Sequence, residues 1–377
     1  MEQPLAIIAE ISPADLHFTV QPWRTRGIDA AWDALAQCAV EPNPFAERWF
    51  MQASLDAFDQ AGEVQLATLE HDGALVGIVP LARLNRYAEY PFPHITGWVH
   101  HNAFCGAPLV ATGYEHAFWR ELLIWCDSHA GARLFLHLSH LPKDGPLFSA
   151  LREVTASQHR ASAIVHREER ALLASDLAPD AYFEASMSSK KRKELRRQAK
   201  RLSEEGALRF ERVTDATALS EWIGRFLALE QTGWKGAEGS ALACASDTRQ
   251  FFRDALIAAA VAGRLERLAL YLDERPIAML ANFITPPGAY SFKTTFDEDC
   301  ARYSPGVLLQ RENLDILAND AVAWCDSCAA ADHPMIERIW REKRPIVRVS
   351  IAIGGQVRRT LCKAILRAET GAFPKGL

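Results

Sequence analysis

Y-S-F-K-T-T-F-D-E-D-C-A-R-Y-S-P-G-V-L-L-Q-R-E-N, residues 290–313, is the stretch whose reading decides the fold. Tyr290 to Phe296 carry aromatic and β-branched residues suited to a strand. An acidic turn follows. Ser304 then stands as a candidate N-cap, with Pro305 at the first helical position and Gly306 behind it. Amides at such a helix start point outward and attract anions, and a glycine there lets a ligand or another backbone come close. Two readings stay open at this level: an ordinary capped strand–turn–helix, or one wall of an anion-binding cleft.

Working outward, the preceding segment predicts a hairpin, strands 268–273 and 276–285 around Glu274-Arg275. An earlier run echoes it. L-A-T-L-E-H-D-G-A-L-V-G-I-V-P-L from Leu66 matches L-A-L-Y-L-D-E-R-P-I-A-M-L-A-N-F from Leu268 in pattern. Each is a strand, a tight turn and a strand, preceded by helical segments, which points to two copies of one α/β unit. The segment 83–112, rich in Pro, Gly, His and aromatics, predicts a shaped loop with short strands; His94, His100 and His101 lie in it. Residues 180–205 predict one long helix, stopped by Gly206. Strands are expected at 322–326 and 346–353, a helix at 335–341, and a basic helix at the C-terminal end.

The 377 residues, 49% hydrophobic and 24% charged, fit a globular chain of two lobes, divided here as 1–178 and 179–377. A net charge of −5 argues against bulk nucleic-acid binding but leaves room for a local basic patch. The opening residues M-E-Q-P-L-A-I-I-A-E lack a basic n-region, and eight scattered cysteines suit reduced thiols, so a cytoplasmic location is expected. No G-x-S-x-G, Walker A or G-x-G-x-x-G motif is present, which weakens hydrolase, NTPase and dehydrogenase readings. Cys325-x-x-Cys328 with His333 lacks a second ligand pair, so no metal is expected.

The densest charge is S-S-K-K-R-K-E-L-R-R-Q-A-K-R-L, residues 188–202, in which a single Glu194 faces eight bases. Like charges at helical spacing repel, and a phosphate would relieve them; a solvated helix face is the plain alternative. Lys191 and Arg192 are its candidate substrate contacts. Asp326 and His333 are candidate proton acceptors and Tyr303 a candidate donor to a leaving thiolate; for each, a structural hydrogen bond is the plain alternative. Lys293, polar within an aromatic strand, either snorkels to water or reaches into a cleft. Trp234 and Lys235, ahead of Gly236, read either as a helix end or as a platform for a ligand ring or acyl chain.

The order of these pieces, S-S-K-K-R-K-E-L-R-R-Q-A-K-R-L, W-K-G, R-P-I-A-M-L, the opening stretch and a strand ending in Asp326, resembles the FemAB/BioF2-like branch of the GNAT acyltransferase superfamily (CelD-like, exopolysaccharide-associated) over residues 185–340. The first half, with A-L-V-G-I-V-P-L-A as its best piece, matches the family's degenerate amino-terminal unit. The resemblance implies an α/β (α+β) fold of two tandem GNAT-like lobes, each a mixed β-sheet flanked by helices, with a cleft between them. It implies N-acyl transfer, with acetyl-CoA as co-substrate, to an amino sugar or its nucleotide- or lipid-linked precursor in envelope or exopolysaccharide synthesis. By position, Arg302, Ser304, Pro305 and Gly306 stand where GNAT enzymes hold the coenzyme A pyrophosphate, though with one glycine in place of several. FemX-like relatives use aminoacyl-tRNA on a cell-wall precursor, which makes a tRNA-dependent ligase the alternative. A third reading is a non-catalytic nucleotide-sensing protein, in which Arg341, Arg344, Arg348, Arg358 and Arg359 take a cyclic dinucleotide, or a tail lying at the inner membrane surface.

Overall fold

The computed structural model describes residues 15–25, 27–374 and 376–377; the leader reading of residues 1–10 lies outside them. In chain order, the first half runs β1 (Leu16–Pro22), α1 (Asp29–Cys38), α2 (Arg48–Phe58), β2 (Gln65–His71), β3 (Ala74–Leu84), β4 (His94–Gly97), β5 (Leu109–Val110), α3 (Glu115–Ser128), β6 (Phe135–Pro142), α4 (Pro146–Ser157) and β7 (Ser162–Leu173). The second runs α5 (Pro179–Ser186), α6 (Ser189–Ser203), β8 (Leu208–Val213), α7 (Leu219–Thr232), α8 (Trp234–Ala237), α9 (Ser246–Val261), β9 (Leu265–Leu272), β10 (Arg275–Thr285), β11 (Gly288–Phe296), α10 (Pro305–Asn313), β12 (Trp324–Asp326), β13 (Glu342–Ala352) and α11 (Gln356–Thr370).

Two compact units result, and a cut at 178 does not describe them. One holds residues 1–48, 61–167 and 345–377; the other holds 49–60 and 168–344. Their sheets repeat one plan. The first has the order β1-β2-β3-β4-β6-β13, with β5 on β3; the second has β8-β9-β10-β11-β12-β7. In both, the successive pairings are antiparallel three times, then parallel, then antiparallel. The echoed hairpins β2–β3 and β9–β10 fall at the same places in this plan. The last strands are exchanged: β7 follows β6 in sequence but pairs with β12, while β13 follows β12 but pairs with β6. The C-terminal helix therefore belongs to the first unit.

In the second unit β9 is buried along its whole length. Its two charged residues are both engaged, although Arg267 Nε is left without a hydrogen-bond partner among the described residues. Glu266 accepts from Asn282 and Arg212 at 2.9 Å, and Arg267 donates to the Asp215 and Thr217 carbonyls at 2.8 Å. Phe50 of α2, Phe251 of α9, Phe283 of β10 and Phe292 of β11 pack ring on ring at centroid distances of 4.4 to 6.0 Å. A second apolar cluster around Trp340, Tyr182, Leu195 and Leu309 packs beneath α5, α6 and α10.

The predicted helix 180–205 is two helices. Met187 is extended (φ −131°, ψ 134°) and buried, and Ser188 restarts the helix by accepting the Lys191 amide at 3.4 Å. Burial of Met187 outweighs the helical propensity of its neighbours. The predicted helix 335–341 is a single 3-10 turn, Ile336–Arg338, because the chain must bury Ile339 and Trp340 and enter β13 at Glu342. Among the described residues no helix is long and apolar enough to cross a membrane, and no group of three His, Cys, Asp or Glu is placed to hold a metal ion.

Candidate functional site

The site begins with a parting of strands in the second unit. β11 pairs with β12 only at Gly288↔Trp324, Ala289↔Cys325 and Tyr290↔Asp326. β11 then runs on to Phe296, while the chain after β12 leaves through Cys328 and Asp332, both at positive φ (52° and 60°). On its other side β11 carries a bulge: Ala281 pairs with Lys293 but Asn282 pairs with Ser291, leaving Phe292 as the extra residue. Bulges re-aim the neighbouring side chain and recur beside active sites. Lys293 is that neighbour, and part of its surface stays accessible.

Lys293 has its pKa pushed down to about 8, by burial first and by the Lys235 charge second; Glu230 opposes the shift. The Lys235 ammonium itself rests on Glu230, Nζ to Oε1 2.8 Å, and the second Glu230 oxygen accepts the Leu242 amide at 2.8 Å. His333 also has a lowered pKa, again from burial first and Lys235 second, so its imidazole is neutral at pH 7. Its Nδ1 is buried with no hydrogen-bond partner among the described residues. The Lys235 charge thus bears on both Lys293 and His333, and Lys235 is itself held by the buried Glu230 carboxylate.

The W-K-G motif acquires a physical reason here. α7 stops at Thr232, and Trp234 opens the short α8 with its amide on Glu298 Oε1 at 2.7 Å. The expected helix end is therefore a restart, and Trp234 is half exposed at 52%. A Cβ on Gly236 would meet the Gln231 carbonyl oxygen at 1.8 Å. Gly236→Ala is expected to push α8 off α7, at a cost of about 1–3 kcal/mol, and to detach Lys235 from Glu230. A denaturant midpoint equal to the native one would contradict this.

The other sequence candidates are placed as follows. Asp326 is buried between two arginines: Arg170 Nη1 lies 3.5 Å from Oδ1 and Arg344 Nη1 3.3 Å from Oδ2, while Oδ1 also accepts the Cys328 amide at 2.9 Å. Arg344 stacks over Trp324 at 4.3 Å. Tyr303 donates its hydroxyl to Glu205, a bond that raises its pKa, and Arg302 Nη2 reaches the same carboxylate oxygen at 2.7 Å. The Arg302 carbonyl accepts from Gln198 of α6.

Ser304 occupies the N-cap position but not the cap's geometry. It is left-handed (φ 55°), its hydroxyl caps nothing, and its carbonyl takes the Val307 and Leu308 amides instead. A Cβ on Gly306 would meet Met335 Sδ at 2.8 Å, so its close approach serves packing. Lys191 is exposed, and Arg192 pairs with Glu184 at 2.8 Å. The arginines named for a cyclic dinucleotide are divided between the two units. Arg341 and Arg344 are held in the second, by the Ala185 carbonyl and Asp326, and Arg359 in the first by Asp127.

Glu230, Glu205, Met335 and Arg170 were not legible as parts of the site. Glu230 and Lys235 are five apart across a helix break, so no helical spacing rule signals them. The strand character of β7 hides Arg170.

Residues 189–334 match a family described as acetyltransferase (GNAT) domain. Among curated proteins no sequence matches the chain. Among solved structures, FemX is similar with a TM-score of 0.56 at 10% identity, covering 89% of this chain and 98% of that one. A conserved protein of unknown function from Bacteroides thetaiotaomicron VPI-5482 gives 0.54 at 9%, covering 86% and 96%. The C-terminal domain of a putative lysylphosphatidylglycerol synthetase from Agrobacterium fabrum gives 0.53 at 13%, covering 93% and 99%. The chain as a whole has the fold seen in FemX, and its residues 189–334 match the acetyltransferase (GNAT) domain family.

Proposed function

We propose that the second unit is an N-acyltransferase that joins an activated acyl group to an amine where β11 and β12 part. The carrying observation is the Lys293–Lys235–Glu230–His333 cluster beside the Phe292 bulge. The amine nitrogen attacks the acyl carbon, with positioning supplying much of the rate. Its proton passes to the neutral His333 imidazole. The Lys293 ammonium steadies the oxyanion as the C–N bond forms and the bond to the donor's sulfur or oxygen breaks. Asp326 acts as a positioning residue, holding the Cys328 turn from which the loop to His333 starts. The acceptor in this reading is an amino sugar or its nucleotide- or lipid-linked precursor.

The family match favours acetyl-CoA as donor. One observation favours the second reading, an aminoacyl ester such as aminoacyl-tRNA. The turn 302–306 does not fit a coenzyme A pyrophosphate: Arg302 is engaged by Glu205, Pro305 has no amide hydrogen, the Val307 and Leu308 amides fold back on Ser304, and Met335 covers Gly306. Calorimetry of the full chain with acetyl-CoA, with and without glucosamine and a uridine diphosphate amino sugar, tests the donor. Binding with acceptor-dependent release of coenzyme A supports the acetyl reading. No heat at millimolar acetyl-CoA sinks that reading, and transfer of a radiolabelled aminoacyl group from tRNA would replace it.

A further inference from the structure

The first unit contains a cavity that the acyl-transfer reading does not use. It measures about 740 Å³ and is lined by the end of α4, the first turns of α11 and Pro374, Gly376 and Leu377. Its size falls within the range of small-molecule sites, about 300–1,000 Å³. Five of its lining side chains are basic or imidazole, Arg152, His159, Arg160, Arg359 and Lys363, and among the described residues no Asp or Glu side chain lines it. That bias is unexpected in a chain of net charge −5. The contrast within the molecule is plain: a cavity of about 250 Å³ in the second unit sets Arg192, Arg196 and Arg311 against Asp180 and Glu184.

The basic wall is built and held. Asp127 takes Arg160 Nη1 and Nη2 at 2.9 and 2.6 Å and Arg359 Nη2 at 2.9 Å, and also accepts the Gly354 amide at 2.7 Å. Arg160 is buried, and its remaining donors reach Gln158 and the Ala352 carbonyl. One carboxylate thus fixes two guanidiniums and neutralises one of them. Arg152 and Lys363 stand exposed on α4 and α11, and neither forms an ion pair among the described residues. The surplus is about three positive charges on a concave surface, where field lines concentrate. Recessed cations of this kind suit an anion that enters the cavity, whereas a long nucleic acid is met by an open stripe such as α6 presents.

We infer that this cavity binds a soluble, multiply phosphorylated small molecule of nucleotide size, with Arg152 and Lys363 making the direct phosphate contacts and Arg160 and Arg359 fixing the wall behind them. The inference stands apart from the acyl-transfer reading, since every residue it uses lies in the first unit.

Inorganic tripolyphosphate is the probe, titrated into the full chain by calorimetry at low salt. Saturable binding below about 1 mM is expected, weakened at least about tenfold by Arg152→Glu or by Lys363→Glu and by raising the ionic strength. Both side chains are exposed, and circular dichroism melts will show whether the variants fold as the parent does. Lys193→Glu on α6 should leave binding unchanged. Three results would each overturn the inference: no saturation; binding insensitive to both cavity variants but lost in Lys193→Glu; or binding to phosphatidylglycerol vesicles that tripolyphosphate does not displace, which would make the surface a membrane contact instead.

Discussion

Lys293→Ala lowers kcat about 100- to 1,000-fold with little change in stability, the loss seen when one oxyanion-stabilising donor is removed. Three features set this expectation. The ammonium sits beside a β-bulge at the parting of β11 and β12, burial lowers its pKa to about 8, and the Lys235 charge adds to that shift. The pH profile sharpens the test. In the proposed role Lys293 acts in its protonated form, so activity is expected to fall as pH rises through about 8. His333 acts in its neutral form, and its pKa lies below the ordinary histidine value, so activity rises as pH climbs through that lower value. A bell with its alkaline limb near about 8 is expected for the native chain. Lys293→Arg keeps a charge but moves the alkaline limb beyond the measurable range. An alanine variant that retains native kcat, or a native alkaline limb that survives Lys293→Arg, would remove Lys293 from the reaction.

Asp326→Ala destabilises the chain by about 3 kcal/mol, the cost of removing one partner of a buried ion pair, with Glu168 Oε1 at 3.0 Å still partnering Arg170. Arg170 and Asp326 have side chains 4% and 1% exposed, and Arg344 closes the group at 13%. Removing the carboxylate takes one anion from two guanidiniums, leaving Arg170 to Glu168 and Arg344 to its stack on Trp324, and frees the Cys328 amide. Asp326→Asn, which keeps an acceptor oxygen, should cost less. Asp326→Leu with Arg170→Met should recover part of the loss, since a well-packed apolar pair can replace a buried ion pair. Urea titration followed by tryptophan fluorescence measures all three. If Asp326 served as a proton acceptor with no positioning role, Asp326→Ala would abolish activity at an unchanged midpoint.

What the sequence disclosed was local. The hairpins at 65–84 and 265–285 and strand β11 follow from short runs of apolar, aromatic and β-branched residues and from turn residues that lie next to each other in the chain. The charged helix α6 and the α10 start followed from the same kind of signal. The site depended on separations that no window covers. Arg170 and Asp326 are 156 residues apart, and Tyr303 and Glu205 are 98 apart. Met335 over Gly306 is a packing fact that turned an apparent phosphate cradle into a filled one. Lys293 was legible as an oddity, a charge in an aromatic strand. Its meaning needed Glu230 and Lys235 brought to it around the break at Gly233.

The crossed destinations of β7 and β13 bear on how this chain can be taken apart. A repeat of two tandem copies invites division at its midpoint, yet such a cut would deprive each sheet of its last strand and leave each fragment holding the strand that belongs to the other. Two fragments severed there are complementary pieces, each incomplete until it meets its counterpart. Whatever duplication produced the repeat, its halves have become co-dependent, and the smallest autonomous piece of this architecture contains both.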